Sequence, residues 1–167
     1  MTPAIFGLAG TTLSADERDF FRESQPFGFI LFGRNVEQRS QLRALTNDLR
    51  SLTGRDQLPI LIDQEGGRVA RMQAPEWSAY PPAAIFEALY AHDPARGLEA
   101  CVLNFEALAL DLAEVGITVT CAPVLDVPVA GAHDVIGDRA FSQNPDHVAA
   151  LSEACLVGLK AGGVEGV

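Results

Sequence analysis

Short apolar segments alternate with amphipathic segments along most of the 167 residues, and this alternation constrains the fold more than any other feature. The apolar segments are short and partly β-branched, which is typical of buried strands. The segments between them repeat apolar residues every three or four positions, which is typical of helices that pack through one face. The predicted strands comprise residues 5–8, 28–32, 58–62, 117–121 and 164–167. This alternation predicts an α/β fold of βα units around a parallel sheet.

Capping residues mark the predicted helix boundaries. Ser14, with Glu17 three residues later, has the form of a capping box and predicts a helix that ends near residue 24. Asn35, with Gln38 three residues later, predicts the cap of a second helix. The last helix is predicted to begin after Asn144. The apolar stripe of the second helix consists of Leu42, Leu45, Leu49 and Leu52.

The connections differ in length on the two sides of the predicted sheet. Those from a helix to the next strand are short, whereas two others run from residue 63 into the eighties and from 123 to about 144. Loops longer than about 12 to 15 residues are usually functional, and long loops after strands are typical of the catalytic end of a (β/α)₈ TIM barrel. An open doubly wound sheet is the alternative, but no G-x-G-x-x-G pattern of a dinucleotide site follows any strand. We therefore predict the barrel.

A complete barrel of this kind takes about 250 residues, which is more than this sequence contains. We expect residues 1–167 to be the N-terminal part of a single barrel domain, covering four βα units and the start of strand five. The last strand would then present a bare edge, and such edges promote aggregation. The chain is therefore predicted to be a fragment of a longer protein or a half that requires a partner, and the stop inside a strand favours the fragment.

Composition and charge exclude several classes of function. A hydrophobic content of 48% is that of a globular protein, and a net charge of -10 disfavours binding to nucleic acid. The longest apolar runs are too short for a membrane span, and no secretory signal is present, so we expect a cytoplasmic protein. No metal-ligand spacing is found, and we expect no cofactor. Cys101, Cys121 and Cys155 have apolar neighbours and are predicted to be reduced core thiols.

The strongest candidate for a functional residue is Asp63, which follows the third predicted strand and precedes two glycines and two arginines. Ligands of parallel sheets bind at the carboxyl ends of the strands. Carboxylates accept hydrogen bonds from hydroxyl groups and arginines donate to oxygen atoms, so Asp63, Arg71 and Arg139 together suit a polyhydroxylated ligand such as a sugar. The alternative is that Asp63 caps a helix or pairs with Arg68.

Two further loop residues have structural alternatives that carry more weight than a role in binding. Asp126 follows the fourth strand, but it could form an ion pair with Arg139 that only fixes the loop. His133 lies in a polar loop and is predicted to be a solvated histidine.

Three motifs, taken in order, closely resemble those of the glycoside hydrolase family 3 β-N-acetylhexosaminidases. They are GFILFGRN at residues 28–35, IDQEGGRV at 62–69, and APVLDV at 122–127 with VIGDRAF at 135–141. The resemblance covers nearly the whole chain and includes the spacing of the motifs. Within the family it is closest to the cytoplasmic enzymes of peptidoglycan recycling, which are single (β/α)₈ barrels.

The resemblance implies a function and a binding site. The full-length protein would be a monomer that releases terminal β-linked N-acetylglucosamine from N-acetylglucosaminyl-anhydromuramyl peptides, with retention of configuration. Asp63, Arg71 and Arg139 would contact that sugar, the glycines after Asp63 would let the backbone turn beneath it, and Arg68 would brace the loop.

The resemblance also implies what is missing from these residues. The family's aspartate nucleophile and its acid/base histidine match no position here and are expected beyond Val167. We therefore expect the 167 residues alone to be inactive. The alternatives are another family 3 exo-glycosidase such as a β-glucosidase, a truncated sugar-binding relative without catalysis, or a generic barrel in which the motifs only serve packing. The D-Q-E-G-G-R form of the second motif favours the acetamido-sugar branch.

Overall fold

Five parallel strands form one sheet in the computed structural model, which describes residues 1–129, 131 and 133–167. The strands of this sheet are β1 (Thr2–Gly7), β2 (Pro26–Leu31), β3 (Ile60–Ile62), β6 (Val119–Thr120) and β7 (Glu165–Gly166). Two more strands, β4 (Gln64–Gly66) and β5 (Val69–Ala70), form a separate antiparallel pair. The order in the sheet is β1-β2-β3-β6-β7, and every neighbouring pair is parallel. The predicted α/β fold with a parallel sheet is confirmed.

Within the part of the chain that the structure describes, five α-helices lie between these strands. They are α1 (Ala15–Ser24), α2 (Arg39–Thr53), α3 (Ala84–His92), α4 (Pro94–Glu114) and α5 (Pro145–Ala161). The capping box at Ser14 and the cap at Asn144 are confirmed, since each side chain accepts a hydrogen bond from the first turn of its helix. None of the helices in the described residues is long and apolar enough to cross a membrane.

The predicted cap at Asn35 is wrong. Asn35 lies in a 3-10 turn (Gly33–Asn35) and is fully buried, whereas α2 begins four residues later without a side-chain cap. Its Oδ1 accepts a hydrogen bond from the backbone N–H of Phe32, and its Nδ2 donates to the carbonyls of Leu8 and Gly10. The amide therefore satisfies backbone groups beyond the ends of β1 and β2, which outweighs local capping because unpaired buried groups are costly.

The core lies between the sheet and the helices. Leu42, Leu45 and Leu49 of α2 are buried as the stripe predicted, and Leu52 is partly buried. The packing of α4 on α5 is close, since a Cβ on Gly158 would lie 2.3 Å from the carbonyl oxygen of Val102. A side chain larger than glycine at this position would force the two helices apart.

The two long connections predicted after strands are present, and both leave the sheet at the same edge. The first contains the antiparallel hairpin β4–β5 and helix α3, neither of which the sequence predicted. The second links β6 to α5 and contains a 3-10 turn at Gly137–Arg139. Because β3 and β6 are neighbouring parallel strands, these connections meet above their carboxyl ends.

Candidate functional site

An open cavity of about 460 Å³ lies where the two long connections meet. Charged side chains from both connections line it together with apolar ones. The lining consists of Asp63, Glu65, Val69, Arg71, Cys121, residues 123–126, Arg139 and Val167. The structure therefore brings Asp63, Arg71 and Arg139 together in one cavity, although the first and last of them are far apart in sequence.

Asp63 pairs with Arg71 and neither caps a helix nor contacts Arg68. Nη2 of Arg71 donates to Oδ2 of Asp63 at 2.7 Å, and both side chains are partly exposed. Nε of Arg71 is buried and has no hydrogen-bond partner among the described residues. The site thus contains a charged donor and acceptor that are fixed to each other and retain further hydrogen-bonding capacity.

Gln64 holds the backbone of Arg71 in place, a role that the sequence did not reveal. Its side chain is 1% exposed, and Oε1 accepts hydrogen bonds from the N–H groups of Arg71 and Met72 at 2.8 and 3.0 Å. Its Nε2 donates to the carbonyl of Met72 at 2.9 Å. Gln64 therefore supports Arg71, which lines the cavity, without lining it itself. A glutamine between charged residues gives no sequence signal for such a role.

The two glycines after Glu65 serve the hairpin turn and do not line the cavity. Gly66 and Gly67 have φ angles of +96° and +57°, which favour glycine. A Cβ on Gly66 would lie 2.3 Å from the carbonyl oxygen of Pro81, and one on Gly67 would lie 2.7 Å from Cβ of Pro82. The glycines are thus required because the connection at residues 80–82 packs directly on the turn.

Arg139 forms an ion pair with Glu65, so the alternative pairing with Asp126 is wrong. Nε and Nη2 of Arg139 each donate to a different oxygen of Glu65 at 2.8 Å. The hydrogen bond with Glu65 raises the pKa of Arg139, and the negative charges of Glu65, Asp126 and Asp63 add to this against the opposing effect of burial. Two parallel hydrogen bonds between a guanidinium group and a carboxylate form a strong pair of fixed geometry. Asp126 remains a nearby charge in the cavity.

Arg68 contacts the second long connection, which is not the loop after Asp63 to which the resemblance assigned it. Its Nε donates to Asp138 at 3.0 Å, and its Nη2 lies within hydrogen-bonding distance of the carbonyls of residues 134–136. The arginine thus joins the hairpin turn to the segment that carries Arg139.

The three cysteines are free thiols, but they do not share one environment. Cys101 and Cys155 are fully buried between helices, as predicted, whereas Cys121 is partly exposed and lines the cavity. Burial raises the pKa of Cys121 to about 11, with contributions from Asp63 and Glu65, so the thiol is protonated at neutral pH. The prediction of a core position for Cys121 is wrong, because its side chain lies on the cavity side of the sheet, between the buried residues Thr120 and Ala122. His133 is exposed, as predicted.

The charges of the cavity favour a neutral polar ligand. Three carboxylates, of Asp63, Glu65 and Asp126, stand against two guanidinium groups, of Arg71 and Arg139. An anionic ligand would meet the excess of carboxylates, whereas hydroxyl groups both donate to carboxylates and accept from arginines. Val69, Val124 and Leu125 add apolar surface beside these groups. This mixture is suited to a sugar ring.

Comparison with known proteins agrees with this chemistry. Residues 7–167 match the family model described as the N-terminal domain of glycosyl hydrolase family 3. The chain is 39% identical over 160 residues to a beta-hexosaminidase of Xanthomonas campestris. The aligned residues cover 96% of this chain and 47% of that protein. The chain thus spans about half the length of the curated relatives it matches.

Solved structures extend this similarity to the fold. NagZ from Neisseria gonorrhoeae, in complex with N-trifluoroacetyl-D-glucosamine, matches with a TM-score of 0.91 and 32% identity over 99% of this chain and 48% of NagZ. A family 3 beta-N-acetylglucosaminidase from Paenibacillus matches with a TM-score of 0.87 and 28% identity over 97% of this chain and 30% of that protein. The predicted barrel-type fold is confirmed, with a sheet that does not close within the described residues. From the match over nearly its whole length, the chain belongs to glycosyl hydrolase family 3.

Proposed function

We propose that the whole protein to which this chain belongs is a β-N-acetylhexosaminidase. It removes terminal β-linked N-acetylglucosamine from the non-reducing end and retains the configuration at the anomeric carbon. In this proposal Asp63, Arg71 and Arg139 bind the terminal sugar. The nucleophile and the acid/base group are not assigned to any residue of this chain.

The observation that carries the proposal is the convergence of these three side chains in one cavity at the strand ends. Asp63 and Arg71 are joined at 2.7 Å, so they offer an acceptor and a donor at fixed separation. Adjacent hydroxyl groups of a pyranose ring present the same alternation of donor and acceptor.

The relatives favour an acetamido sugar over glucose. The Xanthomonas relative is a beta-hexosaminidase, and the Neisseria structure contains an N-acylated glucosamine. A β-glucosidase is therefore the weaker candidate.

The proposal is tested with the whole protein and two chromogenic substrates, 4-nitrophenyl N-acetyl-β-D-glucosaminide and 4-nitrophenyl β-D-glucoside. We expect hydrolysis of the first and little of the second. Asp63→Asn should lower kcat/KM at least about 30-fold, because it removes a charged hydrogen-bond acceptor for the sugar. Asp56→Asn serves as the control, since Asp56 is exposed in the connection between α2 and β3. Equal activity of the two variants, or a preference for the glucoside, would contradict the proposal.

The finer parts of the proposal concern biology and stereochemistry. We infer that the natural substrate is an N-acetylglucosaminyl-anhydromuramyl peptide, that the monomeric protein acts in the cytoplasm, and that it serves peptidoglycan recycling. Mass spectrometry should then detect N-acetylglucosamine after incubation with such a muropeptide. An NMR spectrum that shows the α-anomer as the first product would reject the retaining mechanism. Binding of N-acetylglucosamine without any hydrolysis would instead identify a non-catalytic sugar-binding relative.

A further inference from the structure

Two arginine contacts cross in opposite directions between the β4–β5 hairpin and the connection after β6. Arg68 of the hairpin turn reaches Asp138 and the carbonyls of residues 134–136. Arg139 of that connection reaches back to Glu65 of β4. We refer to these two ion pairs, Arg68–Asp138 and Glu65–Arg139, as the arginine clasp. The clasp joins residues about seventy positions apart.

The two halves of the arginine clasp differ in exposure. The side chains of Arg68 and Asp138 are 49% and 46% exposed, whereas those of Arg139 and Glu65 are 25% and 9% exposed. Water screens the first pair, so this pair contributes little to the free energy of folding. The second pair is shielded from water and lines the cavity. Its geometry therefore determines which N–H groups of Arg139 face a ligand in the cavity.

The contact with Glu65 uses one edge of the Arg139 guanidinium group. Nε and Nη2 donate to the two carboxylate oxygens, and Nη1 has no hydrogen bond to any of the described residues. The guanidinium group is planar and rigid, so fixing one edge also fixes the direction of the N–H groups on the other. A free arginine side chain would instead lose rotamer entropy when it met a ligand.

We propose that Glu65 is a positioning residue that fixes the guanidinium plane of Arg139, so that Nη1 donates to an oxygen of the bound amino sugar. This inference rests on the proposed function, because it takes that sugar as the ligand. Glu65 does not contact the sugar itself in this arrangement. Its two oxygens are occupied by Arg139, and it contributes through the direction and the charge of that side chain.

Four variants of the whole protein test the inference: Glu65→Gln, Arg139→Gln, the double variant of both, and Asp138→Asn as the matched control. Glu65→Gln should raise KM for 4-nitrophenyl N-acetyl-β-D-glucosaminide about tenfold and change kcat less than about threefold, because it loosens binding without touching the reacting atoms. Asp138→Asn removes an ion pair between the same two segments but should leave KM within about twofold. Equal effects of the two variants would show a merely structural role and would overturn the inference.

The double variant shows whether Glu65 acts through Arg139. In the Arg139→Gln background, the added Glu65→Gln should change KM less than about twofold, since the group that Glu65 positions is already absent. The double variant also replaces a partly buried ion pair with two amides, which avoids the unpaired charge that either single change leaves. Additive effects on KM would mean that Glu65 acts independently and would overturn the inference.

A crystal structure of Glu65→Gln provides a test that needs no substrate. We expect the guanidinium plane of Arg139 to rotate away from its position in the wild-type protein or to occupy several positions. An unchanged plane would overturn the positioning role. Absence of hydrolysis by the wild-type protein would count against the proposed function alone, and the crystal structure would still decide the role of Glu65.

Discussion

Single residues at the strand ends fix the site through side-chain contacts with the backbone. Gln64 is the clearest case, because its buried amide makes three hydrogen bonds to the backbone of Arg71 and Met72. The adjacent Thr120 is also fully buried, and its hydroxyl lies 3.2 Å from the carbonyl of Ile62 and 3.1 Å from that of Gln64. These contacts support the segment that carries Asp63.

Gln64→Leu should destabilise the protein by about 2 to 4 kcal/mol, because it leaves two N–H groups and one carbonyl buried without partners. The free energy of unfolding is measured by urea denaturation. Gln73→Leu is the matched control, since Gln73 is exposed and its side chain makes one hydrogen bond among the described residues, to the carbonyl of Ala70. The control should cost no more than about 0.5 kcal/mol. Equal losses would show that the hydrogen bonds of Gln64 contribute little.

At the scale of elements, the first helix shows how local sequence and pH determine stability. Oε2 of Glu17 accepts from the N–H of Ser14 at 2.9 Å, and Oε1 accepts from the N–H of Ala9 at 2.8 Å. Burial acts to raise the pKa of Glu17, but these hydrogen bonds and that of the Ser14 hydroxyl outweigh it, so the pKa lies below its ordinary value of 4.5. The ionised carboxylate therefore stabilises the folded state.

Glu17→Gln should lower the free energy of unfolding by about 1 kcal/mol at pH 7. This difference from the wild type should shrink as the pH falls. Because the pKa of Glu17 is lowered in the folded state, its stabilising effect is complete above pH 4.5 and is lost as the pH falls through the folded-state pKa. Urea denaturation at pH 7 and pH 3 measures the difference. Glu23→Gln, on the exposed face of α1, is the control. A constant difference at both pH values would contradict the assignment.

The β4–β5 hairpin depends on close backbone packing. Gly66→Ala would place a Cβ on a residue with a positive φ, at 2.3 Å from the carbonyl oxygen of Pro81. We therefore expect the free energy of unfolding to fall by about 3 kcal/mol or more. Gly54→Ala, at the end of α2, has a φ of +64° and open space around the added Cβ. It should cost only about 1 kcal/mol. Thermal unfolding of both variants separates backbone strain from the steric clash.

At the scale of the whole molecule, the three cysteines differ in burial because two lie in the core and one lies at the cavity. Cys101 and Cys155 are fully buried between α4 and α5, while Cys121 opens to the cavity. Burial raises the pKa of Cys101 to about 12 and that of Cys121 to about 11. Since the thiolate is the reactive form, exposure and pKa together predict the order of reaction.

Iodoacetamide should label Cys121 first in the native protein. The rate of labelling at Cys121 should rise about tenfold per pH unit between pH 7 and 9, because the thiolate fraction rises in that proportion below the pKa. Peptide mapping by mass spectrometry follows each cysteine separately. Unfolding in guanidinium chloride should abolish the differences among the three sites. Labelling of Cys101 as fast as that of Cys121 in the native state would contradict the packing of α4 on α5.

From the sequence we could predict the alternation of strands and helices, the capping of α1 and α5, and the edge of the sheet at which Asp63, Arg71 and Arg139 gather. These features depend on local periodicity and on one rule, that parallel strands end at the same edge. The sequence could not predict that Asp63 pairs with Arg71, that Arg139 pairs with Glu65, or that the side chains of Asn35 and Gln64 are buried and bind the backbone. Such pairings depend on distances of a few ångströms between segments up to about seventy residues apart, and only the packed loops set those distances.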